Sequence, residues 1–392
     1  MFSMLLNKLK ISIGCSKIRG FVLFAVLLIL VLAPCFSQES LGRLVFIDGE
    51  VEVYREGQAL DWTLVDIGLT LASYDLLETF KNSSAEIELT LPQSDGAYIK
   101  VKENTAFYFD IKNLDGKKQT NFQMLAGSIL FKIRRLTASG EVLINTESAT
   151  MGVRGTEFMV TAAADGSLLI TCTEGLVSCT DKQGMELYAR PGLAVEKISG
   201  ESSRTISLKT EEIDAFRESW LKTREEVFKA AAGVFVKTYA LRYLDFLPAF
   251  QDAYDELVKN YEVLKSAATG DRFRSFSAAR QIKTDISPAV FKIRSIFPTF
   301  EHTFSRLEEL EGYHRAGYGK VQIKRNYSSD DFFKEFLRIK KQVKIQMAVV
   351  RHIFKLYVEL DKDFSGDSMM EEIFGTYPIE PIGPPGSGLG VF

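Results

Sequence analysis

The sequence predicts an α+β protein whose two kinds of structure occupy separate domains, an all-β domain over residues 38–204 and an elongated α-helical bundle over residues 205–374. Three observations predict it. Between Leu41 and about Ile206, short runs rich in Val, Ile, Leu, Phe and Thr alternate with Gly, Asn and Asp turns, and no helix-period stretch interrupts them. From Thr210 the apolar residues recur at spacings of three and four, the period of an amphipathic helix. Charge divides the 392 residues in the same places: the net -3 conceals +4 over residues 1–37, -8 over 38–204 and +1 over 205–392. An apolar share of 46% excludes disordered, collagen-like and polytopic membrane chains, and the near-neutral balance leaves no basic footprint for nucleic acid.

The first element is an export signal over residues 1–37. Lys8, Lys10, Lys17 and Arg19 precede the apolar run Phe21 to Ala33, which ends in Pro34, Cys35, Phe36, Ser37 and Gln38. Basic flank, apolar core and small residues at a cut are the layout of a secretory signal, and the core is shorter than the roughly 20 residues of a membrane span. Cleavage after Ser37 is the leading reading. Two others stand beside it: an uncleaved anchor through residues 21–34 with its basic flank in the cytoplasm, and a lipid on Cys35, since Leu32-Ala33-Pro34-Cys35 resembles a bacterial lipobox apart from its proline. All three place the rest of the chain in the periplasm or cell envelope.

In the β domain one small unit recurs: Asp48-Gly49-Glu50-Val51, Ala126-Gly127-Ser128-Ile129, Asp165-Gly166-Ser167-Leu168 and Glu174-Gly175-Leu176-Val177. Each glycine suits a turn conformation that few other residues adopt, and a strand with one apolar face follows. Cys172 and Cys179 flank the last unit, read as a hairpin turning at Glu174-Gly175. They are then diagonal neighbours at roughly 7–8 Å, which leaves either a strained disulfide or two packed thiols.

The most informative segment is Gly152-Val153-Arg154-Gly155-Thr156-Glu157-Phe158, where two glycines bracket a Val-Arg pair before strand alternation resumes. The glycines suggest bulges or close backbone approach, and Arg154 can pair with Glu157 or cap carbonyls. This segment resembles the Val-Arg-Gly-Thr-Glu-Phe core of the FecR domain family. The surroundings agree: Gly49-Glu50-Val51-Glu52-Val53, then Asp75 to Thr79 with Ser84 to Leu89 as an early strand pair, Leu125 to Ile129 before the core and Thr173 to Val177 after it. The resemblance covers roughly residues 43 to 198. It implies a compact, solenoid-like, all-β fold in the periplasm that makes protein or ligand contacts and does no chemistry. Residues 152–158 are then the key motif of the fold and a candidate contact site. Only about 20 residues precede the apolar run, too few for the cytoplasmic sigma-binding domain of the regulators this family is known for.

In the helical domain, Ile213, Phe216 and Trp220 share one face, with Thr210 as the expected N-cap. Breakers at Pro248, Thr269-Gly270-Asp271, Ser287-Pro288, Phe297-Pro298 and Gly312 to Gly319 predict about five helices. The last carries the stripe Phe332, Phe336, Ile339, Val343, Met347, Val350, Phe354, Tyr357 after the capping candidates Ser328, Ser329 and Asp330, about 45 Å of helix. Such stripes are bundle core, and a bundle offers a route to oligomers. Arg338, Lys340, Lys341 and Lys344 read as a solvated face, and the aromatic loop from Gly312 to Gly319 as a connection or a contact point. Residues 375–392, rich in Pro and Gly, read as a disordered tail.

No catalytic, metal or cofactor constellation emerges. His302, His314 and His352 lack metal-ligand spacing and read as surface or boundary residues. Ser219-Trp220-Leu221-Lys222 matches the Ser-x-x-Lys spacing of acyl-enzymes, but mid-helix beside a core Trp. The expectation is an exported, non-enzymatic envelope protein that binds or scaffolds, with an envelope protein or cell-wall polymer as partner and no cofactor. The alternative is a membrane-anchored FecR-type sensor of transmembrane signalling.

Overall fold

The computed structural model describes residues 40–90, 96–114, 117–134, 141–153, 155–269 and 276–362. The export segment with Cys35, Arg154 and the Pro/Gly tail lie outside the described residues. The described residues, all from Ser40 onward, belong to one compact unit.

Seventeen strands come first: β1 (Ser40–Asp48), β2 (Val51–Arg55), β3 (Gln58–Ala59), β4 (Thr70–Ala72), β5 (Leu76–Thr79), β6 (Ser84–Leu89), β7 (Ala97–Val101), β8 (Thr105–Leu114), β9 (Lys117–Ile133), β10 (Glu141–Asn145), β11 (Ala149–Val153), β12 (Thr156–Ala162), β13 (Leu168–Glu174), β14 (Val177–Asp181), β15 (Glu186–Ala189), β16 (Gly192–Lys197) and β17 (Arg204–Leu208). They form two faces. The first runs β4, β1, β6, β7, β9, β12, β13, β16, β17. The second runs β3, β2, β5, β8, β9, β10, β11, β14, β15. Every pairing is antiparallel except β9 with β10.

β9 belongs to both faces because it turns a corner at Gly127. Up to Ala126 it pairs with β8, and from Gly127 it pairs with β12 and then β7. Alternate residues of the two faces point at each other and fill one core. Phe107, Phe109, Phe122, Phe131 and Phe158 run through it as a chain of ring contacts with centroids 5.0 to 6.1 Å apart.

All four recurring glycines have φ between 79° and 89°. Two strand assignments change, however. The chain at Glu174-Gly175 does not make a hairpin: β13 pairs with β12 and β16, whereas β14 pairs with β11 and β15, so Gly175 carries the chain from one face to the other. The early pair divides in the same way, β5 joining the second face and β6 the first. Cys172 and Cys179 thereby fall on different faces as buried free thiols, and burial pushes them up to about 11 and about 12.

Four helices follow among the described residues: α1 (Ile213–Val258), α2 (Tyr261–Thr269), α3 (Phe276–Arg315) and α4 (Ser329–Lys362), with a short β18 (Gln322–Lys324) and β19 (Tyr327–Ser328) before α4. Pro248, Pro288 and Pro298 lie inside helices and end none of them. A mid-helix proline costs about 3 kcal/mol, and burial of the helices' apolar faces in the shared core, Phe250, Ile286, Val290, Phe297 and Phe300 included, opposes it. Thr210 is not the cap expected of it: it begins a short 3-10 turn, and the residues at the cap positions, Lys209 for that turn and Glu212 for α1, make no side-chain cap hydrogen bond. The start of α4 is as expected: Ser328 and Asp331 cap each other, the Asp331 N–H donating to Ser328 Oγ and the Ser328 N–H to Asp331 Oδ2.

The bundle packs on the outer side of the second face. Tyr54, Tyr74, Leu76, Ala106, Tyr108 and Leu125 share one core with the inner residues of α1, α3 and α4. The stripe Ile213, Phe216, Trp220 closes against Leu169, Ala194 and Leu208 of the first face, and Trp220 Nε1 donates to Glu196 at 2.6 Å.

Candidate functional site

The corners that switch faces leave backbone N–H groups outside the ladders, and buried polar groups of this kind need partners. Ser and Thr hydroxyls supply them. Ser83 Oγ accepts from the Glu50 N–H at 2.9 Å, Thr79 Oγ1 from the Thr105 N–H at 3.1 Å, and Thr105 Oγ1 from the Ser128 N–H at 2.9 Å. The corners stack so closely that a Cβ on Gly127 would lie 2.2 Å from Thr105 Oγ1 and 2.6 Å from Asn104 O. At φ +89° only glycine fits there.

Along this stack runs a groove of about 630 Å³, walled on one side by Asn82, Lys102, Glu103, Asn104 and Ser128 and on the other by Arg217, Leu221, Lys222 and Glu225 of α1 and Glu309 and Tyr313 of α3. Several charges are engaged: Arg217 with Asp214 at 2.9 Å, Glu225 with Lys229 at 2.8 Å, Glu309 with Arg306 at 2.5 Å. Glu103 accepts from the Asn82 N–H at 2.7 Å. Among the described residues neither Lys102 nor Lys222 makes an ion pair, so each wall presents a cation to the space between. The lining combines cations, carboxylates, amides, hydroxyls and one phenol with the apolar Met159, Ala162, Ala163, Ala164 and Leu221, and contains no His or Cys. It suits hydrogen bonding to an extended polar chain.

The family motif is elsewhere. β12 pairs Thr156 with Ile133 and Ala162 with Gly127, so the motif and the groove lie at opposite ends of that strand. Gly152 faces Ser178, whose Oγ would be 2.7 Å from a Cβ there and donates to the Gly152 carbonyl at 3.3 Å. Val153 is buried between Val142 and Val177. Gly155, at φ 66°, turns the chain from β11 to β12, and Thr156 is buried. Glu157 pairs with Lys132 at 3.0 Å, and Phe158 stacks on Phe131 at 5.0 Å.

A second polar cluster lies between the second face and the helices. Lys344 meets Glu78 at 2.6 Å and Glu308 at 3.0 Å. Burial alone would lower its pKa, but the two carboxylates prevail and hold it above the usual lysine range. Arg351 bonds Glu301, which also accepts from Tyr108 Oη at 3.2 Å. Arg306 meets Glu147 at 3.5 Å and the Ala163 carbonyl at 3.1 Å. Lys344 is therefore no part of a solvated face.

The three histidines are buried as well. His314 contacts Ser329 Oγ at 3.0 Å and packs on Phe333. Tyr313 packs on Phe228, and a Cβ on Gly319 would lie 2.8 Å from Val236, so the segment from Gly312 to Gly319 is held at Tyr313, His314 and Gly319, while Arg315 to Tyr318 are exposed. Ser219 lies mid-helix in α1, beside buried Trp220. No group of His, Cys, Asp and Glu able to hold a metal occurs among the described residues, and no described helix is long and apolar enough to cross a membrane. Sequence reasoning missed the groove because its walls are brought together by the packing of α1 and α3 on the corners. The signal that was present is the run of Asn, Ser and Thr residues at those corners.

Residues 75–178 match the family model described as FecR protein. No curated relative matches the chain. Two solved structures of a candidate anti-sigma factor from Parabacteroides distasonis ATCC 8503, at 1.65 and 2.50 Å resolution, are similar at 15% and 16% identity, with a TM-score of 0.30. Each similarity covers 36% of this chain and 63% of that one, so the chain spans less than two thirds of the structures it matches. The matched span holds the motif from Gly152 to Phe158 together with β5 to β13, and the chain therefore carries a FecR domain over residues 75–178.

Proposed function

We propose that the protein is an exported, non-enzymatic component of the cell envelope with a regulatory or signalling role, exerted by contact: the corner groove receives a polar partner and the helical bundle supports assembly. The FecR match supports a regulatory role, and the basic-then-apolar N-terminal segment supports a periplasmic location. The recurring corner-and-strand units support the solenoid-like organisation that the family resemblance implies. The motif at residues 152–158 serves as a structural crossover in this reading, with Gly152 and Gly155 allowing close approach and Glu157 and Phe158 fixing β12 on β9.

The observation that carries the reading is the groove, whose two walls come from different parts of the chain and each present a cation without an ion pair. An envelope protein or cell-wall polymer with carboxylates along an extended chain would satisfy both. The test is capture of envelope proteins and peptidoglycan fragments by the purified protein and by the Lys102→Glu, Lys222→Glu double variant. Two charge reversals should weaken capture at least about tenfold at unchanged melting temperature. Equal capture by both proteins removes the groove from the reading.

A further inference from the structure

Between β3 and β4 the chain makes a loop, Asp61 to Gly68, held on the core by Leu60, Val65 and Leu69. Its turns are closed by the Leu64 N–H to the Asp61 carbonyl at 2.9 Å and the Leu69 N–H to the Asp66 carbonyl at 3.0 Å. Asp61 caps the Thr63 N–H at 2.9 Å, and Asp66 accepts from the Ile67 N–H at 2.7 Å. This ordered scaffold projects three large apolar side chains into solvent: Trp62 is 82% exposed, Leu64 60% and Ile67 61%. Val45 and Phe46 are exposed on β1, to which the loop is joined by the Gly68 N–H donating to the Leu44 carbonyl at 2.8 Å.

We propose that this loop is a lipid-contacting element that dips Trp62, Leu64 and Ile67 into the interfacial layer of a bilayer with zwitterionic headgroups. Chain length selects lipid as the occupant. The loop is joined to β1 at Leu44, four residues from Ser40, and Cys35 with the apolar run before it lies only five residues further back. Nine residues span at most about 30 Å even when extended, so in the two readings that retain residues 21–35, a lipid on Cys35 or an uncleaved apolar run, the loop stays within reach of the membrane surface. Trp is the side chain that favours the headgroup boundary. Charge selects the headgroup: residues 61–70 contain Asp61 and Asp66 and no Lys or Arg, which disfavours an anionic surface. The inference rests on a membrane-attached form of the envelope protein proposed above and deepens that reading.

The chain has 2 tryptophans, and Trp220 is buried against Glu196, so a change of emission on adding lipid reports Trp62. The protein from Gln38 onward, which contains the whole compact unit and lacks the anchor, is titrated with phosphatidylcholine vesicles. The expected result is a blue shift of emission and co-sedimentation with lipid. The Trp62→Ser, Leu64→Ser, Ile67→Ser variant should lose affinity by about tenfold or more per side chain removed while keeping its circular dichroism and melting temperature. Unchanged emission at saturating lipid overturns the proposal, as does binding confined to anionic vesicles or equal binding by the triple variant. Cell fractionation separates the two readings: a cytoplasmic full-length protein removes the envelope location and leaves the vesicle result standing.

Discussion

At the scale of single residues, the buried histidines set the pH response. Burial disfavours the imidazolium of His302 and lowers its pKa from 6.5 to about 4, although Glu147 pulls the other way; Lys182, Arg306 and Arg242 add to the lowering. Burial likewise lowers His352 to about 4, against the pull of Glu56. An unfolded chain takes up these protons near pH 6.5, while the folded chain takes them up only near pH 4. The unfolded state therefore binds more protons between those values, and stability rises with pH across the window. The contribution should be complete above about pH 6.5, shrink as the pH falls and level off below about 4, by roughly 3 kcal/mol for His302 and somewhat less for the less enclosed His352. Urea denaturation at intervals from pH 4 to pH 8 measures it, and His302→Gln should flatten the slope. A wild-type midpoint constant from pH 7 to pH 4.5 would show that the imidazoles are not buried neutral.

At the scale of elements, Lys344 pins α4 to β5 and α3 together. Removing one partner of a buried ion pair leaves an uncompensated charge and costs about 3–5 kcal/mol, whereas replacing the pair with apolar groups of similar size can be neutral. Lys344→Met should thus destabilise by that amount in chemical denaturation, and Glu78→Gln added to it should recover part of the loss. A Lys344→Met variant as stable as wild type would mean the cluster does not hold the elements together. This cluster also shows where the sequence was and was not legible. The strand-rich first half, the helical second half, the glycine turns and the capping role of Ser328 were readable, because a period, a φ angle and a short-range hydrogen bond are local properties; Asp331, which completes that cap, was not among the candidates. Which face a strand joins is not local: Gly166 makes a hairpin and Gly175 a change of face from nearly the same residues. The prolines misled for a related reason, since what retains Pro248, Pro288 and Pro298 inside helices is the packing of those helices on one another and on the strands. Lys344, His302 and His352 looked solvated because the carboxylates that face them, Glu78, Glu147 and Glu56, lie more than 100 positions away in the chain, as does the opposite wall of the groove for Lys102.

At the scale of the whole molecule, the composition shift near residue 205 suggests two independently stable domains, but the packing argues for one cooperative unit. Tyr54, Leu76, Tyr108 and Leu125 bury their outer sides under the helices, so unfolding the bundle alone would expose them. It would also strand Glu78, Glu147 and the Ala163 carbonyl, each bonded to a helix side chain. These penalties fall on the β domain whenever the helices leave, which is the condition for a single transition. Two probes can test it: ellipticity at 222 nm follows the helices, and hydrogen-exchange protection of the amides in β6, β7 and β13 follows the strands. In urea the two midpoints should coincide, and Lys344→Met should lower both equally. A groove ligand touching Lys102 on the strands and Lys222 on α1 should raise both by the same amount, because binding to the native state alone stabilises whatever unfolds with it. A helical signal lost at lower urea than the strand protection would mean that the bundle comes away from an intact β domain, and a ligand bridging the walls would then raise the first midpoint alone.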